Sequence, residues 1–270
     1  MTHPVRDEVV AALAEFCGTF MFLFLAFAAT QAVLNVDAAA GRPPTAAQVL
    51  FVASAFGGAL AANVWAFYRI SGGMFNPAVS LALMLVGTIK PLRFVIVFAA
   101  QIVAGIAAAG LTDGLIPGPL QVANKLGLGV SVVQGLFLEV FLTAELVFVV
   151  YLLAVEKHRA TYIAPLGIGL AIFMCHMVGV PLTGTSVNPA RSFGPAVVAG
   201  FVGYHWIYWV GPFLGALLAW ALFKLLTLLN YGTVNPAQDE DGLERLNTRG
   251  SNVTKGTDGA SVEHQRGESA

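Results

Sequence analysis

Apolar residues come in six long runs along this chain, at about 9–34, 47–68, 92–112, 133–155, 161–181 and 205–229. A helix needs about 20 such residues to cross the hydrocarbon of a bilayer, so each run predicts one span. Two further apolar stretches, "AVSLALMLVG" at 78–87 and "ARSFGPAVVAG" at 190–200, are too short to cross. Past residue 238 the pattern changes to "QDEDGLERLNTRGS", the composition of a solvated, disordered tail. The pattern therefore predicts an all-α polytopic membrane protein.

Composition agrees. Of 270 residues 57% are hydrophobic and 11% charged, whereas about a quarter of a soluble chain is charged. The first run is expected to be retained as a span: it is long for a signal peptide, and Cys17-Gly18 lies in its middle. Cys17 and Cys175 both fall inside predicted spans and are expected to be small buried residues, neither disulfide-bonded nor metal-bound. A net charge of -1 gives no reason to invoke nucleic acid.

Six crossings put Arg6, Arg69, Lys90, Arg93, Lys157, Arg159 and Lys224 on one side, and Arg42, Lys125 and Arg191 on the other. By the positive-inside rule both termini are expected in the cytosol. His158, in the "EKHRAT" loop, is expected to be solvated, or else to sense pH.

The chain repeats itself. "SGGMFNPAVS" at 71–80 matches "TGTSVNPARS" at 183–192, the two asparagines lying 112 residues apart, and Glu15-x-x-x-Thr19 is matched by Glu139-x-x-x-Thr143. Each copy holds three spans and one loop, about 9–113 and 133–229, flanked by an N-terminal segment 1–8 and a tail 230–270. Three is odd, so the second copy crosses in the opposite sense. Such an inverted repeat carries its site near the bilayer midplane, where the copies meet. A third Asn-Pro-Ala, at 235–237, precedes the charged tail and reads as a turn.

Asn-Pro-Ala is a helix start, because Asn is a strong N-cap, Pro suits the first helical position and the residue before Pro avoids helical geometry. The short apolar stretches behind Asn76-Pro77-Ala78 and Asn188-Pro189-Ala190 then become half-helices entering from opposite faces. Broken backbone is tolerated at that depth only where it is buried or lines a wet cavity. Capping through Oδ1 leaves the amide NH2 of each Asn free to donate, beside the positive end of a helix dipole. Glu15 and Glu139 could be structural or a proton relay. Arg191 is an embedded charge, costly unless it faces a wet cavity or lies at the surface end of its loop.

The paired loops, the continuation "NPARSFGPAV", the two Glu-x-x-x-Thr pairs and "HWIYWVGPFLGALLA" resemble the aquaporin (major intrinsic protein) family over about residues 8–230. The resemblance implies six transmembrane helices plus two re-entrant half-helices, one pore per subunit and a homotetramer. It also implies that Glu15 and Glu139 are buried and bonded to loop backbone. Its selectivity filter falls on Phe56, His176, Thr185 and Arg191, with Ile172 and Val79 as pore wall. The extended segments Gly72-Gly73-Met74 and Gly184-Thr185-Ser186 would offer carbonyls to the permeant. His176, Ser192, Ala196 and Tyr208-Trp209 resemble the orthodox, water-selective branch rather than the glycerol branch, and Thr185 departs from members with Cys there. The expectation is a passive single-file water channel that excludes protons and ions, with no cofactor or metal, in the plasma membrane. Its alternatives are a glycerol channel, a secondary transporter, which would want titratable groups at midplane, and an intramembrane enzyme, for which no nucleophile–base pair stands out. Gly57/Ala61 and Gly167/Ala171 are expected to let spans two and five approach closely.

Overall fold

The computed structural model describes residues 3–39 and 42–235. Eight α-helices follow one another: α1 (His3–Ala39), α2 (Ala46–Phe67), α3 (Pro77–Leu85), α4 (Pro91–Leu115), α5 (Val132–Val150), α6 (Ala164–Gly179), α7 (Pro189–Ala199) and α8 (Ile207–Leu228). Six helical segments are long and apolar enough to cross a membrane, and the two that are not, α3 and α7, are the expected half-helices. Among the described residues there is no strand.

Several boundaries differ from expectation. α1 begins at His3, ahead of the apolar run, and its first turns are tied to the start of α4 by a bidentate pair in which Arg93 donates to Glu8 at 2.7 and 2.9 Å. The fourth span ends in a π-helical turn, Tyr151–Val155, from which the Tyr151 hydroxyl donates to the carbonyl of Ala82 at 2.8 Å. The same carbonyl also takes the Val86 N–H at 3.2 Å, so the end of the short helix α3 is held from two sides. His158 is half-buried and caps the 3-10 turn Arg159–Ile163, its Nδ1 accepting from the Ala160 N–H at 3.1 Å. Cys17 is exposed on the outer face of α1, while Cys175 is buried.

The helices pack chiefly α2 against α6, α1 against α4 and α2, and α4 against α7. Missing side chains make the crossings possible. A Cβ on Gly169 would stand 2.6 Å from Ala61 Cβ and 2.7 Å from the Gly57 carbonyl, and one on Gly105 would stand 2.5 Å from the Ala190 carbonyl. Gly57 and Ala61 thus form the α2 side of the crossing, as expected, but Gly169 rather than Gly167 forms the α6 side. Gly167 faces the side chain of Leu153 instead.

The chain divides at Leu225 into two units. In the second, the described part ends in a 3-10 turn, Tyr231–Thr233, after Asn230 in left-handed conformation with φ 53°. Asn235 is exposed; the rest of the third Asn-Pro-Ala and the tail lie outside the described residues.

Candidate functional site

The two half-helices start alike. Asn76 and Asn188 are extended (φ -155° and -157°), and each caps its helix through Oδ1, accepting from Ala78 N–H and Ala190 N–H at 2.9 Å. Their amide groups are not wholly free, as the sequence suggested. Asn76 Nδ2 donates to the Val187 carbonyl at 2.8 Å and Asn188 Nδ2 to the Phe75 carbonyl at 2.9 Å, so each loop is bonded to the other. One N–H of each amide remains for a permeant.

Phe75 and Val187, the residues before the asparagines, both lie in the left-handed region, at φ 49° and 47°. That is costly for a bulky residue and more so for a β-branched one. Each is gripped at both ends. Glu15 accepts from Phe75 N–H at 2.8 Å, Met74 N–H at 3.0 Å and the Ser71 hydroxyl at 2.6 Å. Glu139 accepts from Val187 N–H and Ser186 N–H, both at 2.8 Å, and from the Thr183 hydroxyl at 2.6 Å. The carbonyls of Phe75 and Val187 meanwhile receive the opposite asparagine. Both acids are fully buried, and each is bonded to backbone and hydroxyl donors of its own loop, an arrangement that holds the loop in place. Thr19 and Thr143 are buried beside them with hydroxyls that have no hydrogen-bond partner among the described residues. Gln101, which the sequence did not single out, donates to Glu15 at 2.7 Å and to the Ser80 hydroxyl at 2.9 Å. A Gln inside an apolar run was the signal for it.

A cavity of about 40 Å³ runs past both asparagines and is walled by Val79, Ile172, Phe56, His176 and Arg191. A water-sized molecule needs roughly 10–15 Å³ of such space, so the cavity has room for about three. Gly72, Gly73, Met74 and Ser186 line it as expected. Gly184 lines a wider cavity beyond it. The Thr185 side chain is buried against α6, its hydroxyl 2.5 Å from where a Cβ on Gly179 would stand.

At the narrow end the Phe56 and His176 rings stack with centroids 3.9 Å apart, and the Arg191 guanidinium carbon lies 5.2 Å from the Phe56 ring and 5.5 Å from that of Phe27. No atom fits between rings in contact, so the open side is bounded by Arg191. The His176 Nδ1 lies 2.8 Å from the Ile172 carbonyl, which can only accept; the proton of the neutral ring is therefore on Nδ1, and Nε2 is left as a buried acceptor with no hydrogen-bond partner among the described residues. Arg191 donates to the Val122 carbonyl at 2.7 Å and to the Gly184 carbonyl at 3.2 Å. Val122 belongs to the connector between the repeats, which is stitched across this mouth. Gln31 donates to the Pro119 carbonyl at 2.9 Å and accepts from Gln121 N–H at 2.7 Å, while Asn124 accepts from the Ser192 hydroxyl at 2.8 Å. None of these connector roles was expected from the sequence.

Across residues 5–223 the chain matches the family model described as "Major intrinsic protein". It belongs to that family, the aquaporins. It is 55% identical over 243 residues to Aquaporin-1 of Gibberella zeae, covering 89% of this chain and 76% of that protein. It is 54% identical over 243 residues to Aquaporin-7 of Botryotinia fuckeliana, covering 88% of this chain and 54% of that one. The chain spans about half the length of several of the relatives it matches. In fold it resembles the aquaglyceroporin from Plasmodium falciparum, with a TM-score of 0.73 at 20% identity over 83% of this chain and 99% of that one. This aquaporin is thus an integral, multi-pass membrane channel and not an enzyme.

Proposed function

We propose that this aquaporin conducts water in single file and excludes glycerol, protons and ions. The observation that carries the reading is the narrow end of the cavity, where Phe56 stacked on His176 leaves only the strip beside Arg191. A triol needs a wider passage with an apolar wall for its carbon backbone. Here the open strip offers donors from Arg191 and one acceptor, His176 Nε2, which suits a molecule that both donates and accepts. At the centre, water accepts from the remaining N–H of Asn76 and of Asn188, so its own protons point away along the file and the proton wire is broken. The positive ends of α3 and α7, together with Arg191, repel cations.

On the same reading the termini are cytosolic, the channel stands in the plasma membrane and four copies associate, each with its own pore. Exposed Val133, Phe137 and Phe141 support an outer surface that meets lipid or a neighbouring copy.

Stopped-flow light scattering on proteoliposomes tests the central statement. Osmotic shrinkage should be fast with a low activation energy, and glycerol entry no faster than in empty liposomes. Rapid glycerol entry would overturn it. Replacing His176→Ala should open the filter, with glycerol permeability rising at least about tenfold, the usual scale when a steric barrier of a few methylenes is removed. The double variant Asn76→Asp/Asn188→Asp should admit cations or protons, read as dissipation of an imposed gradient with a pH-sensitive dye; an unchanged barrier would sink the central role of the two amides.

A further inference from the structure

Beyond the narrow end lies a second cavity, of about 330 Å³, that opens outward and is lined by Arg42, Lys125 and Arg191. These cations come from three separate segments: the link between α1 and α2, the connector, and the first turn of α7. Among the described residues lining the cavity there is no carboxylate; its neutral polar groups include Thr30 and Gln121. We propose that this mouth is a binding site for small multivalent oxyanions, of the phosphate or carboxylate type, and that an occupant blocks the pore.

Two features make it more than a cluster of surface charges. First, the backbone beneath the charges is held in place. Gly184, whose carbonyl takes an Arg191 N–H, packs so closely on the connector that a Cβ there would stand 3.1 Å from Asn124 Nδ2 and 3.4 Å from Lys125 N. Asn124 is itself buried and bonded to Ser192 and to the Thr183 carbonyl at 2.8 and 3.3 Å. Lys125 is therefore anchored at its backbone a few atoms from the group that positions Arg191, while its side chain is exposed, with no hydrogen bond or ion pair among the described residues. Holding the segment in advance lowers the ordering cost of binding.

Second, Lys125 and Arg191 line a concave wall. A concave surface of one sign focuses its field and raises the local concentration of the opposite ion. Planar guanidinium groups match carboxylate and phosphate oxygens, and an ammonium adds a point charge. Arg191 has five N–H donors, of which two are taken by the Val122 and Gly184 carbonyls. An oxyanion between Lys125 and Arg191 would use donors that a permeant needs at the filter, which is why occupancy blocks flow.

The test is equilibrium dialysis of radiolabelled pyrophosphate, and separately of citrate, against the detergent-solubilised channel, at fixed ionic strength set with sodium chloride. Binding should saturate, and Lys125→Glu should weaken it by about tenfold or more, the loss of one charge-assisted contact, while Lys125→Arg restores it. Stronger binding of pyrophosphate assigns the phosphate type, and of citrate the carboxylate type. No saturable binding of either, or equal binding by Lys125→Glu, overturns the proposal. The block is read by stopped-flow shrinkage with the tighter anion on both sides of the membrane, as a ratio to each variant's own anion-free rate. That part rests on the water-channel reading, whereas dialysis does not: absent water flux in anion-free buffer counts against that reading, and intact flux at saturating anion overturns the block.

Discussion

At the scale of single residues, the site is organised around two strained positions rather than around the asparagines alone. Phe75 and Val187 hold left-handed backbone that neither side chain favours. They do so because a buried glutamate takes the N–H and an asparagine from the other repeat takes the carbonyl. Removing the acceptor from one repeat leaves two donors without partners, the Ser186 and Val187 amides, while the Thr183 hydroxyl keeps only its 3.4 Å contact to the Gly179 carbonyl. Each amide costs about 1–3 kcal/mol when buried and unpaired, so Glu139→Ala should destabilise the fold by about 2–6 kcal/mol. Glu139→Gln keeps an acceptor oxygen and should lose much less. Thermal unfolding in detergent, followed by intrinsic fluorescence, separates the two; equal midpoints would mean the glutamate does not hold the loop. The asparagines and glutamates were legible because each occurs twice at one offset. What they bond to was not, since the carbonyl that accepts from each asparagine sits more than a hundred residues away, on Val187 for Asn76 and on Phe75 for Asn188.

Between elements, the decisive quantity is how closely backbones approach. Without water there is little hydrophobic drive between helices, and packing of small residues takes over. The α2–α6 crossing has Gly169 against Ala61 and the Gly57 carbonyl. Gly169→Val meets backbone there and cannot be accommodated by a side-chain rotation, so it should cost about 1–3 kcal/mol or more. Gly58, one residue from the crossing, has nothing within 4 Å of a built Cβ, and Gly58→Ala should leave the midpoint unchanged or raise it slightly. Comparable losses in both variants, measured as yield of monodisperse protein and unfolding temperature, would refute the crossing as drawn. The six spans and two half-helices were legible from run length and from Asn-Pro alone. The choice of Gly169 over Gly167 was not, because spacing marks small residues without saying which face of α6 meets α2. Connector contacts were equally hidden: residues 116–131 carry no periodicity, and their order comes from Gln31, Asn124 and Tyr204, which reach them from or into other segments.

For the molecule as a whole, two facts about charge act together. The repeat inverts, so the same loop chemistry serves both entrances, yet the basic residues are unevenly divided: Lys90, Arg93 and Lys157 lie at the ends or links of helices on one side, Arg42 and Lys125 on the other. On the proposed orientation by positive charge, the Lys157 side faces the cytosol and the Lys125 side the outside. The division also makes the outer mouth, though poorer in cations overall, the one where cations gather into a cavity. Single cysteines introduced as Lys157→Cys and Lys125→Cys, in a background with Cys17→Ser and Cys175→Ala, give the direct measurement. A membrane-impermeant maleimide applied to intact cells should label position 125 and not 157, and permeabilisation should expose 157. The opposite pattern would invert the protein, turn the proposed anion site toward the cytosol and leave the pore chemistry untouched, because the residues lining the cavity are the same whichever way the chain is inserted.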